Sequence, residues 1–183
     1  MGAVGVMDHP LVTQETQDVL ADALLGLPIF GDIGLIYQVN DFNWLWPVFE
    51  ANLCGTNASV RALKHLAHRN HIKELTVTNG DVREACHYFA DRYARDDAAS
   101  YAHLTALAPP KADETDNVLL NPIHQGLQEP DGTKAQATAL LFVVYRLRNN
   151  LFHGTKAQRG LEGQTANFRH ANALLRAWIT AGD

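Results

Sequence analysis

An unbroken hydrophobic stretch, Ala139 to Tyr145, lies in the middle of the segment from Lys134 to Lys156. A membrane-spanning helix needs roughly 20 apolar residues, so this stretch is too short to cross a bilayer. It lacks the polar face of a surface helix, and it therefore predicts a helix at the centre of a helical core. Gly154 is a suitable residue to end that helix, because a left-handed C-terminal turn favours a residue without Cβ.

A dense group of polar residues follows the hydrophobic stretch and occupies the end of the predicted helix: Arg146, Arg148, Asn149, Asn150, His153 and Lys156. Asn149 and His153 are four residues apart and therefore share a helix face. Arg148 continues an apolar row at helical spacing, which consists of Ala137, Leu141, Val144, Arg148 and Leu151. A guanidinium on such a row requires an anion, a carbonyl or a water-filled groove, because burying it unpaired is costly.

Helical periodicity elsewhere predicts an all-α protein, a helical bundle that forms a single domain over residues 1–183. Capping residues and apolar spacing place helices at 13–27, from Asp41 or Asn43 to Leu53, at 57–75, at 78–105 with a break at Asp96–Asp97, and at 164–181. The segment 29–37 is ambiguous, either a loop or a short extended piece. We expect the last helix to pack on the central one, so that 134–183 forms a pair carrying the polar group. Residues 106–133 contain four prolines and predict a long connecting segment with at most a short helix, 118–128.

Three further features have more than one interpretation. Trp44 and Trp46 favour a core or a subunit interface, with a base-stacking platform as the alternative. The outer side of the 57–75 helix is basic, and a solvated face is the first interpretation, an RNA-backbone contact strip the second; its residues are Arg61, Lys64, His65, His68, Arg69, His71 and Lys73. His65 and His68 have a metal-ligand spacing, but no cysteine or carboxylate is spaced to join them, so we expect no metal and no cofactor. His170 is expected at the surface.

Composition is that of an ordinary globular protein, and the net charge of −5 disfavours generic nucleic-acid binding. The charge is unevenly distributed, however. Residues 134–183 hold seven Lys and Arg against two acidic residues, and residues 1–133 hold eight against eighteen. The polar group therefore lies in a locally basic segment, and local potential governs anion binding because screening acts over roughly 8 Å. The two cysteines form no CxxC motif, and we expect reduced thiols, a cytoplasmic location and no signal peptide.

An arginine and a histidine at the end of a buried helix suit metal-independent cleavage of RNA. In that reaction the 2′-hydroxyl attacks the adjacent phosphorus, and histidine is the natural base near neutral pH. The planar guanidinium of arginine stabilises the charged phosphorane oxygens. Because the group contains one histidine, a second would come from a symmetry-related copy if two helix ends faced each other across a twofold axis.

The segment Arg148-Asn149-Asn150-Leu151-Phe152-His153-Gly154 resembles the R-x4-6-H motif of the HEPN superfamily, in the version where a polar residue follows the arginine. The resemblance covers roughly the final 50 residues. It implies a four-helix core, here with additional N-terminal helices, and a homodimer whose two motifs line one cleft. It also implies metal-independent cleavage that leaves a 2′,3′-cyclic phosphate. Arg148 and His153 would be the catalytic pair, with Asn149 as the orienting residue and Asn150, Lys156 and Arg146 as RNA phosphate contacts.

The leading hypothesis is therefore an endoribonuclease of toxin or defence type, which acts on RNA and crosses no membrane. The alternative is a non-catalytic HEPN-like module that binds a nucleotide or a protein partner, for example an antitoxin-type protein. A metal-dependent enzyme built on His65 and His68 is a third hypothesis. Each site residue also has a purely structural interpretation: Arg148 would cap carbonyls or pair with an acid, and His153 would interact with the helix dipole.

Overall fold

The computed structural model describes residues 33–107, 114–152 and 163–182, and the predicted helix at 13–27 lies outside them. Within these ranges the chain forms helices only, which confirms the all-α prediction. The eight helices are α1 (Ile33–Leu53), α2 (Val60–Leu66), α3 (Asn70–Thr78), α4 (Gly80–Tyr93), α5 (Ala98–Thr105), α6 (Glu114–Leu127), α7 (Lys134–Phe152) and α8 (Thr165–Ala181). No helix in this part of the chain is long and apolar enough to cross a membrane.

Helix α1 begins well before the predicted capping residues Asp41 and Asn43, and it includes the end of the ambiguous segment 29–37. An apolar row at helical spacing extends upstream of those caps and is buried along its whole length: Leu35, Phe42, Trp46, Phe49 and Leu53. Burial of this row overrides the capping signals. Because the helix begins at Ile33, Pro47 lies in the helix interior. Asn43, whose carbonyl loses its partner because proline has no N–H, is on the exposed side and can be hydrated.

The predicted helix at 57–75 is two helices, α2 and α3, separated by a turn at 67–69. Ser59 caps α2 by accepting a hydrogen bond from the Ala62 amide at 3.2 Å. Leu63 and Ile72 are both fully buried, yet nine residues of continuous helix would place them on opposite faces. The turn brings Ile72 round to the core.

The predicted helix at 78–105 is divided at the predicted break into α4 and α5. Asn79 caps α4 by accepting from the Val82 amide at 3.1 Å, and Asp97 caps α5 by accepting from the Ser100 amide at 2.7 Å. The apolar row of α4 is entirely buried, namely Val82, Ala85, Cys86, Phe89 and Tyr93. Local pattern and capping chemistry agree in this region, and the prediction is confirmed.

The segment 106–133 differs from the expected connection, because α6 is a 14-residue helix that packs along α7. Pro122 lies within it. The two helices approach closely at Gly126, where an added Cβ would lie 2.4 Å from the Ala135 carbonyl oxygen. The short helix expected at 118–128 therefore begins earlier, at Glu114, and buried apolar residues at helical spacing stabilise it despite Pro122: Leu119, Ile123 and Leu127.

The expected packing of the last helix on α7 needs correction, since the principal neighbours of α8 are α1 and α4. Phe168 contacts Phe42 edge to face at a centroid distance of 5.3 Å, and Trp178 contacts Phe49 at 5.7 Å. Helix α7 instead packs on α6, α2 and α3, and its hydrophobic stretch from Ala139 to Val144 is buried. The polar group therefore emerges from the most enclosed helix of the bundle.

Candidate functional site at the end of helix α7

Helix α7 spans Lys134–Phe152, so the polar group occupies its last turns, and Gly154, the predicted end of the helix, lies outside the described residues. Four of the predicted site residues fall within the described part of the chain: Arg146, Arg148, Asn149 and Asn150. His153 and Lys156 lie outside the described residues. The structure therefore describes the arginine and asparagine residues of the predicted site.

Arg146 and Asn150 are four residues apart on one face of α7, and both donate hydrogen bonds to the same backbone carbonyl. The Arg146 Nε donates to the Leu107 carbonyl oxygen at 2.8 Å, and the Asn150 Nδ2 donates to it at 3.2 Å. Leu107 lies just after α5, and Arg146 is only 4% exposed. These contacts favour a structural role, in which the end of α5 is fixed to the end of α7, and they argue against a direct phosphate contact for Arg146.

Arg148 lies on a different face of α7 and is half-buried. Its guanidinium carbon is 6.0 Å from the ring centroid of Trp46, within the range of a cation–π contact. The Arg148 Nη1 also donates to the Asn149 Oδ1 at 3.3 Å. The guanidinium is thus oriented by an aromatic ring and by a side-chain amide, and it carries its N–H donors in a rigid planar fork.

The two tryptophans of α1 have different environments. Trp46 is buried and contacts Phe49 at a centroid distance of 5.4 Å and Tyr145 at 6.4 Å, which makes it part of the core and the floor under Arg148. Trp44 is 66% exposed, and the nearby Val48 is 45% exposed. The sequence grouped the two tryptophans together, and the helix separates them onto opposite sides.

The basic outer side predicted for residues 57–75 is present on α2 and the turn after it. Arg61, Lys64, His65, His68 and Arg69 are all exposed there. Among the described residues, no group of three or more His, Cys, Asp or Glu side chains is arranged to hold a metal ion. His65 and His68 thus have no third ligand in this part of the chain, and the metal-enzyme hypothesis gains no support.

A second polar cluster, which the sequence did not reveal, lies between α4 and α8. Contrary to the expected surface position, His170 is only 4% exposed, and its ring stacks on Tyr88 at 4.3 Å. The Tyr88 hydroxyl donates to the Asn167 Oδ1 at 2.9 Å, and Arg169 reaches the His170 Nε2. Burial, and then the charge of Arg169, lowers the pKa of His170. The Tyr88 ring that stacks on His170 belongs to α4, which is distant in the sequence, so no local pattern could indicate this cluster.

The cysteines do not supply a nucleophile. Burial raises the pKa of Cys86 to about 12 and that of Cys54 to about 11. Both thiols are therefore protonated near neutral pH, and the thiolate is the reactive form.

No protein-family model matches the sequence, and no curated protein or solved structure is significantly similar to the chain. The geometry described above and the motif at the end of α7 therefore carry the functional interpretation.

Proposed function

We propose that this protein is a metal-independent endoribonuclease of the HEPN type, whose site is built around Arg148 at the end of α7. The observation that carries the proposal is the placement of Arg148. Its guanidinium lies over Trp46, is bonded to Asn149, and precedes His153 by five residues in the sequence.

The contacts of Arg148 suit the electrostatic part of the reaction. Negative charge develops on the nonbridging oxygens as the 2′-oxygen bonds to phosphorus, and a fixed planar fork of donors stabilises it. Trp46 is itself held by Phe42, Phe49 and Tyr145, so the surface beneath the guanidinium is rigid. A donor that needs little reorganisation is most effective in a transition state.

His153 supplies the proton transfer in this proposal. A base takes the proton of the 2′-hydroxyl, the P–O5′ bond breaks, and an acid protonates the departing 5′-oxygen to leave a 2′,3′-cyclic phosphate. One imidazole performs one of these transfers, and the second is assigned to His153 of a symmetry-related copy. Asn149 is a positioning residue, because its carbonyl oxygen holds the guanidinium.

The test is incubation of the purified full chain with labelled single-stranded RNA in EDTA. Cleavage is expected, with 2′,3′-cyclic phosphate ends identified by mass spectrometry. RNA with 2′-O-methyl groups throughout is expected to resist, since it lacks the attacking hydroxyl. The His153→Ala and Arg148→Ala variants should each lose about 10²-fold or more in rate.

Matched controls are available on α4, where Arg83 and His87 are both exposed. The Arg83→Ala and His87→Ala variants remove the same chemical groups away from the site and should cleave at the parental rate. Absence of cleavage by the parent protein, or equal rates for the parent and the Arg148 and His153 variants, would overturn the proposal.

A second candidate function is a non-catalytic module of the same type that binds a protein partner. Exposed Trp44 and Val48 lie on one side of α1, one helical turn apart, and an exposed apolar surface of this kind favours protein binding. A partner held there would be lost in a Trp44→Ser variant and retained at high salt. RNA binding would show the opposite pattern, since it weakens steeply with salt.

A further inference from the structure

A strip of basic side chains on α2 and the following turn has no role in the site described above. Arg61, Lys64 and His65 lie on one side of α2, His68 and Arg69 follow in the turn, and all five are exposed. The opposite side of α2 is occupied by Leu63 and Leu66, which are buried against the core. At the helical rise, Arg61 to His65 cover about 6 Å of α2, and His68 and Arg69 extend the strip into the turn that follows.

The three fixed charges of this strip have no carboxylate partner within the described residues. The arginine ion pairs in that part of the chain lie elsewhere and join Arg95 to Asp97, Arg169 to Glu84, and Arg176 to Asp41. Glu50, an acid near the start of α2, is engaged with the backbone, since its Oε1 accepts from the Ala58 amide at 2.8 Å. The strip is therefore a local concentration of positive charge that forms no ion pair among the described residues, on a protein of net charge −5.

We infer that this strip binds the phosphodiester backbone of single-stranded RNA and guides it along the protein. The inference rests on the proposed function, because it assigns a second contact surface for the same substrate. Helix α2 packs directly on α7, the helix that carries Arg148, so one strand can contact both. Contacts to phosphates by Arg and Lys give affinity without sequence readout.

The experiment measures binding separately from cleavage. Fluorescence anisotropy with labelled single-stranded RNA is recorded in EDTA at several salt concentrations, in an Arg148→Ala and His153→Ala background that prevents turnover. The variant Arg61→Gln, Lys64→Gln and Arg69→Gln is compared with Arg83→Gln, Arg95→Gln and Lys134→Gln, which removes three exposed charges outside the strip. Both triple variants have the same net charge.

The strip variant is expected to raise Kd at least about tenfold near 0.1 M salt and to reduce the slope of log K against log salt by about 2, since each lost phosphate contact contributes about 0.7. The matched variant should change Kd less than about threefold. Equal losses in the two variants, unchanged binding by the strip variant, or no binding by the background protein would overturn the inference. Because the readout is binding, a protein that binds through the strip but cleaves no RNA would contradict only the proposed function.

Discussion

Two arginines at the end of α7 are two residues apart and have different environments. Arg146 is enclosed, and its Nε donates to the Leu107 carbonyl oxygen at 2.8 Å. Arg148 is half-buried, with its guanidinium over Trp46 and bonded to Asn149. The two residues are of the same type and nearly adjacent in the chain, and the helix face determines which neighbours each guanidinium contacts.

This comparison explains why the sequence alone placed both arginines in one functional site, Arg148 as a catalytic residue and Arg146 as a phosphate contact. A rotation of about 200° separates the two side chains on a helix. The sequence shows the rotation, but it does not show that the end of α5 lies against one face and Trp46 against the other. The resulting division of roles is testable, because stability and activity should respond to different substitutions.

The largest expected effects are those of replacing the two arginines, which should alter activity in one case and stability in the other. Arg148→Ala should reduce RNA cleavage by about 10² to 10³-fold, the range found when a transition-state donor is removed. It should cost little stability, because a partly exposed cation–π contact contributes about 1 kcal/mol or less. Arg146→Ala should instead lower the free energy of unfolding by about 2 kcal/mol, since a buried charged donor is lost. Urea denaturation and initial cleavage rates provide the two measurements.

The comparison fails if the two variants behave alike. Loss of activity in a stably folded Arg146→Ala protein would assign that residue to the site. A large loss of stability in Arg148→Ala would make it a structural side chain. Arg83→Ala, an exposed arginine on α4, provides the reference for removing a charge without either role.

A smaller effect is expected from the two asparagines that accompany the arginines. Asn149→Ala removes the acceptor of the Arg148 Nη1 and should slow cleavage by about tenfold, corresponding to roughly 1.4 kcal/mol of transition-state stabilisation. Asn150→Ala removes a donor to the Leu107 carbonyl oxygen and should reduce stability by about 1 kcal/mol with little change in rate. An Asn150 variant that is slower than the Asn149 variant would reverse the assignment of the two faces.

Much of the fold follows from local patterns in the sequence. The helix that ends near Phe152, the Asn79 and Asp97 caps and the buried row of α4 all arise from interactions between residues a few positions apart. Such interactions are visible in a single sequence. The predictions that depend on them are confirmed.

The remaining features required knowledge of distant contacts. Helix α1 begins before its apparent caps because α8 covers its apolar row. The turn between α2 and α3 exists because Ile72 must reach a core that the sequence does not locate. The Arg146 contact with Leu107 joins residues 39 positions apart. Tertiary packing decides each of these features, and propensity alone does not.

The smallest expected effect concerns His170, a third basic side chain, which is enclosed like Arg146. Burial among Tyr88 and its neighbours, with the nearby Arg169, lowers the pKa below its ordinary value of 6.5, although Glu84 opposes this shift. The unfolded chain therefore binds a proton at a higher pH than the folded chain does. The stability contributed by the neutral imidazole is complete above pH 6.5 and is lost as the pH falls through the lower folded pKa.

Urea denaturation between pH 7.5 and pH 5 should show a shallower decline in the free energy of unfolding for His170→Gln than for the parent, while His87→Gln, an exposed control, should follow the parent. If the free energy of unfolding depends on pH in the same way in all three proteins, burial does not lower the pKa of His170. Burial would then no longer be a sufficient criterion for distinguishing the role of Arg146 from that of Arg148.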